Sequence, residues 1–249
     1  MRAAGCVFAE DEAEVLIASA DSPERLAHMV DQRISGVPLE HVVGWAMFCG
    51  VRVEVDPGVF VPRSRTGLMV RLAAHATQPH ATVLDLCCGT GAIGAAVATR
   101  VTGVRLYASD VDPRAVACAA RNLEPFDATV VCGDLFDALP EDLRTRVDVL
   151  VANAPYVPTD AVALLPAEAR LYEDRVALDG GGDGLDMLRR VAAQASSWLS
   201  DSGVLLFETS QQQAVAAASA LSEVGLRAAI VTDDELDVAV VMGHVRPPQ

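Results

Sequence analysis

Residues 82–94 read Thr82-Val83-Leu84-Asp85-Leu86-Cys87-Cys88-Gly89-Thr90-Gly91-Ala92-Ile93-Gly94, an apolar run followed by closely spaced glycines. The apolar run is typical of a buried strand, and the glycines are typical of a tight turn into a helix. Gly89, Gly91 and Gly94 match the spacing G-x-G-x-x-G of nucleotide-binding folds. The segment therefore predicts an α/β fold with a nucleotide-type ligand at the end of this strand.

The carboxylate of Asp85 lies in the predicted strand, four residues before Gly89. It would repel the pyrophosphate of a dinucleotide and attract a cationic amino-acid group. S-adenosylmethionine carries such an ammonium group and a sulfonium centre, and it has no phosphate. We therefore expect this molecule at Asp85 and at the loop residues Cys87, Cys88, Gly89, Thr90 and Gly91. A tight strand–helix turn that binds no ligand is the alternative interpretation.

Strand and helix patterns alternate along the rest of the chain. Strands are expected at 82–86, 104–109, 128–132, 147–152, 203–208, 228–232 and 238–242. Helices are expected at 64–76, 92–100, 113–122, 184–199 and 211–224. This alternation predicts a doubly wound α/β sheet of seven mostly parallel strands with helical crossovers. Residues 233–237 are too few for a crossover, so the last strand is expected to be antiparallel.

Two further carboxylates follow the next predicted strands. Asp110 ends the second strand, where a carboxylate accepts hydrogen bonds from both ribose hydroxyls. Asp112 is a less favoured alternative, since it precedes Pro113 as a helix N-cap would. After the third strand, Asp134 is expected to accept from an adenine amino group and Leu135 to pack on the ring; the alternative for Asp134 is a solvated loop carboxylate.

The fourth predicted strand leads into Asn153-Ala154-Pro155-Tyr156, at the edge of the sheet where open α/β folds bind ligands. A planar amide or amino nitrogen is a poor nucleophile, and a site assists it by accepting its two hydrogens in fixed directions. The Asn153 side-chain oxygen and the Ala154 carbonyl can accept them, and Tyr156 can stack on the flat group. Pro155 favours extended backbone at residue 154. An Asn-Pro turn that closes a strand is the alternative interpretation.

The 249-residue chain is acidic, with 34 Asp and Glu against 19 basic residues, all arginine, for a net charge of −15. This charge disfavours an electrostatic grip on nucleic acid, which depends on clustered basic residues. The hydrophobic share of 51% excludes a mostly disordered chain.

The N-terminus reaches Glu10-Asp11-Glu12 before an apolar segment of signal-peptide length develops. No apolar run approaches the ~20 residues that span a bilayer. We therefore expect a cytoplasmic protein without membrane contact. The six cysteines have no C-x-x-C spacing and no nearby histidine pairs, so no metal site is expected.

Residues 11–36 have the apolar spacing of two short helices, the second with Ser22 as its cap and Pro23 at its first position. From residue 45 to 61 apolar and polar residues alternate. The residues Asp56-Pro57-Gly58 have the composition of a turn, so a β-hairpin with its turn at 56–58 is expected.

Taken together, these features resemble the HemK/PrmC-type protein-(glutamine-N(5)) methyltransferases. The resemblance covers residues 36–66, which look like the hairpin and the I-P-R-P-E-T segment of that family, and it continues through the glycine loop and residues 153–156. Residues 178–185 and 207–211 also match family stretches. The departures are Cys87 for the first loop glycine, Ala154 for a proline, and Ser64-Arg65 for Pro-Glu.

The resemblance implies a Rossmann-like class I methyltransferase with S-adenosylmethionine as donor, and Asn153 is counted with both donor and acceptor sites. It implies methylation of a glutamine side chain in a protein, most often the Gly-Gly-Gln loop of peptide chain release factors. Residues 1–44 are expected to form a short helical region for partner recognition, 45–62 a hairpin linker and 63–249 the methyltransferase domain. The oligomeric state is not predicted.

The sequence also allows two other functions. Adenine and guanine methylating enzymes use the same Asn-x-Pro-Tyr device, and Arg63, Arg65 and Arg71 could form a local phosphate-binding cluster. A non-catalytic, methyltransferase-like binding module is the other alternative. Glu208 ends the fifth strand and could lie near the cleft; a structural carboxylate that faces a helix is the favoured interpretation.

Overall fold

The N-terminal helices form a small packed layer. The computed structural model describes residues 1–2 and 6–245, so residues 3–5 and 246–249 of the predicted first and last domains lie outside it. The helices are α1 (Ala9–Ser19), α2 (Pro23–Ile34) and α3 (Leu39–Val43). They pack around Leu16, Met29 and Val42, which are almost fully buried. The cap at Ser22 is confirmed, since its side chain accepts from the Arg25 N–H.

The predicted hairpin exists, but its predicted turn is wrong. The strands are β1 (Trp45–Phe48) and β2 (Val51–Glu54), so the turn lies at Cys49-Gly50 and not at 56–58. Both turn residues have positive φ, +50° for Cys49 and +84° for Gly50. Two such residues match the right-handed twist of a two-residue hairpin. Residues 59 and 61 are buried against the main domain without forming a strand.

Strands and helices alternate through the rest of the chain. The strands are β3 (Thr82–Leu86), β4 (Arg105–Asp110), β5 (Thr129–Cys132), β6 (Val147–Ala152), β7 (Leu199–Thr209), β8 (Arg227–Asp233) and β9 (Val238–His244). The helices are α4 (Gly67–Ala76), α5 (Ala92–Arg100), α6 (Pro113–Leu123), α7 (Ala167–Tyr172), α8 (Asp186–Ala195) and α9 (Ala214–Glu223). The predicted helix 184–199 is therefore too long at both ends, and α7 was not predicted.

The sheet confirms the predicted architecture. Its seven strands have the order β5-β4-β3-β6-β7-β9-β8, and the first five of that order are parallel. Strand β9 pairs antiparallel with both β7 and β8. The order reverses beside β3, since β4 lies on one side and β6 on the other. Open α/β sheets bind ligands at the carboxyl ends of the strands around such a reversal.

Both faces of the sheet are buried, as a doubly wound fold requires. In β3, Val83 packs with residues of α4 and α5, whereas Leu84 packs with residues of α8 and α9. Because side chains alternate along a strand, Asp85 points to the same face as Val83, toward α5. Across the described residues, no helix combines the length and apolar character that crossing a membrane requires.

Candidate active site

A cleft of about 820 Å³ opens at the carboxyl ends of β3, β4 and β6. Most of the predicted site residues line it, namely Cys87, Cys88, Gly89, Thr90, Asp110, Asp134, Asn153, Ala154, Pro155 and Tyr156. Three do not, namely Asp85, Gly91 and Leu135. The structure thus brings the glycine loop and the Asn-Ala-Pro-Tyr segment to one cavity, although more than sixty residues separate them in the chain.

The glycine loop depends on left-handed backbone. Gly91 has φ +74°, and a Cβ there would lie 3.0 Å from the Leu123 side chain of α6. Cys87, which stands where the resemblance expects glycine, has φ +55°. A side chain in this region of φ costs about 1–2 kcal/mol, so Cys87 places backbone strain at the wall of the cleft.

Asp85 lies beneath the loop and is fully buried. Its Oδ2 accepts from the Gly94 N–H at 2.9 Å, which fixes the first turn of α5 on the end of β3. Its Oδ1 is buried without a hydrogen-bond partner among the described residues. Burial, reinforced by the charge of Asp110, raises the pKa of Asp85 to about 8.

Asp110 lies at the wall of the cleft and organises two backbone segments. Its Oδ2 accepts from the Gly89 N–H at 2.9 Å, and its Oδ1 accepts from the Asp112 N–H at 3.0 Å. Burial raises the pKa of this carboxyl above its usual range. Each oxygen keeps a second lone pair for a ligand hydroxyl. Asp112 caps α6 by accepting from the Arg114 N–H, as the N-cap interpretation predicts.

The side chains of Asp134 and Leu135 lie in different places, the first at the cleft and the second in the core. Asp134 lines the cleft and forms an ion pair with Arg190 at 2.7 Å. Leu135 has φ +53°, is 4% exposed and packs in the core with Leu84 and Leu86. Its carbonyl accepts from the Ser109 hydroxyl. Leu135 does not line the cleft and anchors this loop in the core, and its contact with an adenine ring stays a prediction.

S-adenosylmethionine fits the charges of this cleft. The Gly89 N–H, which could bind a phosphate oxygen, is already used by Asp110. Buried Asp85 has an unpartnered oxygen and a pKa of about 8, and a cationic ligand nearby would favour the ionised form of this carboxyl. When this donor binds, Asp110, Asp134 and residues 87–90 would hold it, and its positive charge would favour ionisation of Asp85 beneath the loop.

Asn153 enters the cleft at the end of β6. Its Nδ2 donates to the Thr66 hydroxyl at 3.3 Å. Among the described residues, no hydrogen bond uses Asn153 Oδ1 or the carbonyl of Ala154. Both oxygens are thus available to accept from the two hydrogens of a planar nitrogen.

The hydroxyl group of Tyr156 is hydrogen-bonded to Glu208. The phenol donates to Glu208 Oε1 at 3.2 Å, and the Arg65 guanidinium lies over the ring at 5.9 Å. Glu208 is 1% exposed, and Arg65 Nε lies 3.7 Å from its Oε1. Burial raises the pKa values of both Glu208 and Tyr156. Glu208 contacts Tyr156, which lines the cleft, although Glu208 itself does not line it. Its strand-end position was the only sequence signal for it.

The glycine run at 180–184 closes around the same segment. A Cβ on Gly180 would lie 2.7 Å from the Pro155 carbonyl oxygen, so the two backbones are in direct contact. Gln213 Nε2 donates to the carbonyls of Tyr156 at 2.9 Å and Asp183 at 2.8 Å. Sequence reasoning missed Gln213, because its partners lie in other loops.

The arginines near the cleft are paired with carboxylates. Arg63 contacts Glu173 at 2.5 Å, and Arg71 contacts Asp233 at 3.1 Å. Arg65 Nε lies 3.7 Å from Glu208 Oε1. The cluster considered for phosphate binding is therefore compensated in charge, which weakens the nucleic-acid alternative.

The chain is similar to methyltransferases in comparisons with known proteins. Residues 50–184 match the family described as "Methyltransferase small domain". A relative from Geobacter sulfurreducens, named release factor glutamine methyltransferase, is 34% identical over 227 residues, which are 89% of this chain and 79% of the relative. A relative from Streptomyces pristinaespiralis, named 4-amino-L-phenylalanine/4-methylamino-L-phenylalanine methyltransferase, is 35% identical over 77% of this chain and 67% of that protein.

Among solved structures, the T. thermophilus 16S rRNA N2 G1207 methyltransferase, in complex with AdoMet and guanosine, superposes with a TM-score of 0.57 at 20% identity, over 81% of this chain and 50% of that chain. This likeness shows a shared fold. Fold, cleft and relatives together define an enzyme that uses S-adenosylmethionine to methylate a nitrogen. More particularly, the chain belongs to the family of the release factor glutamine methyltransferases.

Proposed function

We propose that this enzyme methylates the side-chain amide nitrogen of a glutamine in a protein, and that the glutamine lies in the Gly-Gly-Gln loop of a peptide chain release factor. The names of the relatives support this acceptor. The observation that carries the proposal is the placement of Asn153 and Ala154 beside the donor cleft, with one available oxygen each. Two acceptors side by side suit a primary amide, which has two hydrogens on one nitrogen.

The residues of the cleft would act by orientation. The lone pair of an amide nitrogen is delocalised, so the nitrogen reacts only when it is held toward an electrophile. Asn153 Oδ1 and the Ala154 carbonyl would accept its two hydrogens, and the ring of Tyr156 would cover the flat group. Bound S-adenosylmethionine supplies the electrophilic methyl group. The methylated nitrogen then releases its extra proton to water, and no histidine is found among the described residues that line the cleft.

In this proposal the predicted N-terminal helical region helps to bind the protein acceptor. Arg33 of α2 forms ion pairs with Glu12 of α1 at 2.7 Å and with Glu168 of α7 at 2.6 Å. Glu168 also lines the cleft. The described part of the helical region is thus joined by an ion pair to a residue that lines the cleft, and in this proposal it would contact an approaching protein acceptor.

Labelled methyl transfer tests the acceptor. The enzyme is incubated with methyl-labelled S-adenosylmethionine and, in parallel, a release factor, its Gln→Ala loop variant, tRNA with rRNA, and 4-amino-L-phenylalanine. We expect label in the release factor and none in the Gln→Ala variant. Label only in RNA or only in the free amino acid would overturn the proposal.

A further inference from the structure

To bind the acceptor nitrogen, the side-chain amide of Asn153 must direct its oxygen, and not its NH₂ group, into the cleft. Its oxygen accepts from an acceptor N–H, whereas its NH₂ group would repel one. Asn153 Nδ2 lies 3.3 Å from the Thr66 hydroxyl. A hydroxyl both donates and accepts, so this contact alone does not select the orientation. Some further group must determine the direction of the hydrogen bond.

Glu208 meets that requirement. It lies at the end of β7 with 1% of its surface exposed, and its Oε1 accepts from Tyr156. Its Oε2 is buried with no partner at ordinary hydrogen-bond distance among the described residues. No hydrogen bond of ordinary length joins Thr66 to Glu208 among the described residues; hydrogen bonding by the Thr66 hydroxyl still lowers the pKa of the Glu208 carboxyl, against the larger, raising effect of burial.

We propose that Glu208 is a positioning residue that acts through Thr66 to set the orientation of the Asn153 amide. An ionised carboxylate only accepts hydrogen bonds. The single hydrogen of Thr66 therefore points to Glu208, and the Thr66 oxygen is left to accept from Asn153 Nδ2. This leaves Asn153 Oδ1 directed to the acceptor. The inference rests on the proposed function, since it takes Asn153 as the residue that binds the acceptor nitrogen.

The same carboxylate also orients Tyr156. The phenol hydrogen points to Glu208 Oε1, so both side chains proposed to contact the acceptor nitrogen or its flat group depend on one buried charge. The groups that face this charge are Thr66, Tyr156 and Arg65, and Arg65 is the only cation among them. Its guanidinium at 3.7 Å favours the ionised form of Glu208. This form is required by the proposed chain of hydrogen bonds from Glu208 through Thr66 to Asn153, which we call the relay.

Three variants test the relay. Glu208→Gln keeps the shape of the side chain but adds an NH₂ group, which can donate to Thr66 and reverse the relay. Thr66→Val removes the relay, and Thr66→Ser restores it. Thr77→Val is the matched control, because Thr77 is a buried threonine whose hydroxyl bonds the Ala73 carbonyl in α4. The acceptor is the release factor, and donor affinity is measured by calorimetry.

We expect kcat to fall at least tenfold in Glu208→Gln and in Thr66→Val, with donor affinity unchanged within twofold. Thr66→Ser and Thr77→Val should keep the kcat of the wild type. The wild-type kcat should also decline toward acidic pH as Glu208 takes up a proton, and this decline should be absent in Glu208→Gln. Wild-type kcat in Glu208→Gln, or in Thr66→Val, would overturn the inference.

A second measurement needs neither donor nor acceptor. In ¹H–¹⁵N spectra of the protein alone, the side-chain NH₂ pair of Asn153 is identified by its loss in Asn153→Ala. If this NH₂ group donates to Thr66, its chemical shifts should change in Thr66→Val and Glu208→Gln and should return to the wild-type values in Thr66→Ser. Unchanged chemical shifts in folded Thr66→Val and Glu208→Gln would contradict the relay. If the wild type methylates no glutamine, the proposed function fails. The spectrum does not depend on methylation, so it tests the hydrogen bonds of Asn153 and Thr66 independently.

Discussion

Gly184 packs against the carbonyl oxygen of Tyr156 so closely that a side chain on Gly184 would overlap this oxygen. The backbone of Gly184 is left-handed, with φ +79°. The same carbonyl accepts from Gln213. The geometry of residues 153–156 therefore depends on a glycine loop that follows them by some thirty residues.

Gly184→Ala should damage both stability and activity. The added methyl group clashes with Tyr156 and strains the backbone, which together should cost about 1–3 kcal/mol. We expect a lower melting temperature and at least a tenfold loss of kcat. Gly182→Ala is the matched control, because a Cβ there meets nothing within 4 Å. Equal behaviour of the two variants would contradict the proposed packing role.

Asn153→Ala should reduce turnover without a comparable loss of donor binding. Removing one positioned hydrogen-bonding group from a site of this kind typically costs ~10²–10³-fold in kcat. Single-turnover rates would measure the loss, and calorimetry with S-adenosylmethionine would show whether the donor still binds. A fully active variant would refute the role assigned to Asn153.

Asp110→Ala should weaken donor binding. Two hydrogen bonds from ribose hydroxyls to a carboxylate contribute about 1.5–3 kcal/mol each, so an affinity loss of at least tenfold is expected in calorimetry. Asp110→Asn tests whether the loss follows the charge or the disrupted Gly89 contact. Asp112→Ala is the comparison, and it should weaken the cap of α6 while donor affinity stays near the wild-type value. If Asp112→Ala loses the affinity instead, the ribose assignment moves to that residue.

The stability of the ligand-free protein should fall as pH rises, in part because of Asp85. Its pKa is about 8 in the folded protein and ~3.9 in an unfolded chain. Between these values the folded state keeps a proton that the unfolded state has released, so its contribution is full below the lower value and is lost toward pH 8. The free energy of unfolding of Asp85→Asn relative to the wild type should therefore rise from pH 5 to 8. A constant difference across this range would show that Asp85 does not titrate in this way.

Much of the fold could be predicted from local patterns. Every predicted strand of the main sheet is present. Short apolar runs that end at turn residues indicate strands directly, and the central strands are buried on both faces. The hairpin turn at Cys49-Gly50 was missed, because the prediction relied on the stronger composition of residues 56–58. Helix α7 was missed, since six residues carry little periodicity.

The candidate site divides in the same way. Asp110 and Asn153 could be found because each follows a strand of the sheet, and strand ends of a parallel sheet meet at one edge. Thr66 and Gln213 carry no such signal, and Glu208 has only its position at the end of the fifth predicted strand. Asp85 was expected to contact the ligand, and the structure places it beneath the loop on the Gly94 amide.

The amino-acid sequence alone therefore establishes an α/β sheet, a glycine loop after its first strand and an Asn-Ala-Pro-Tyr segment at its edge, because each is encoded by spacing within a short stretch of chain. The contacts of Glu208 with Tyr156 and of Thr66 with Asn153 exist only after folding. They join the end of β7, the turn before α4 and the end of β6, and no local pattern records which side chains meet when separate segments pack together.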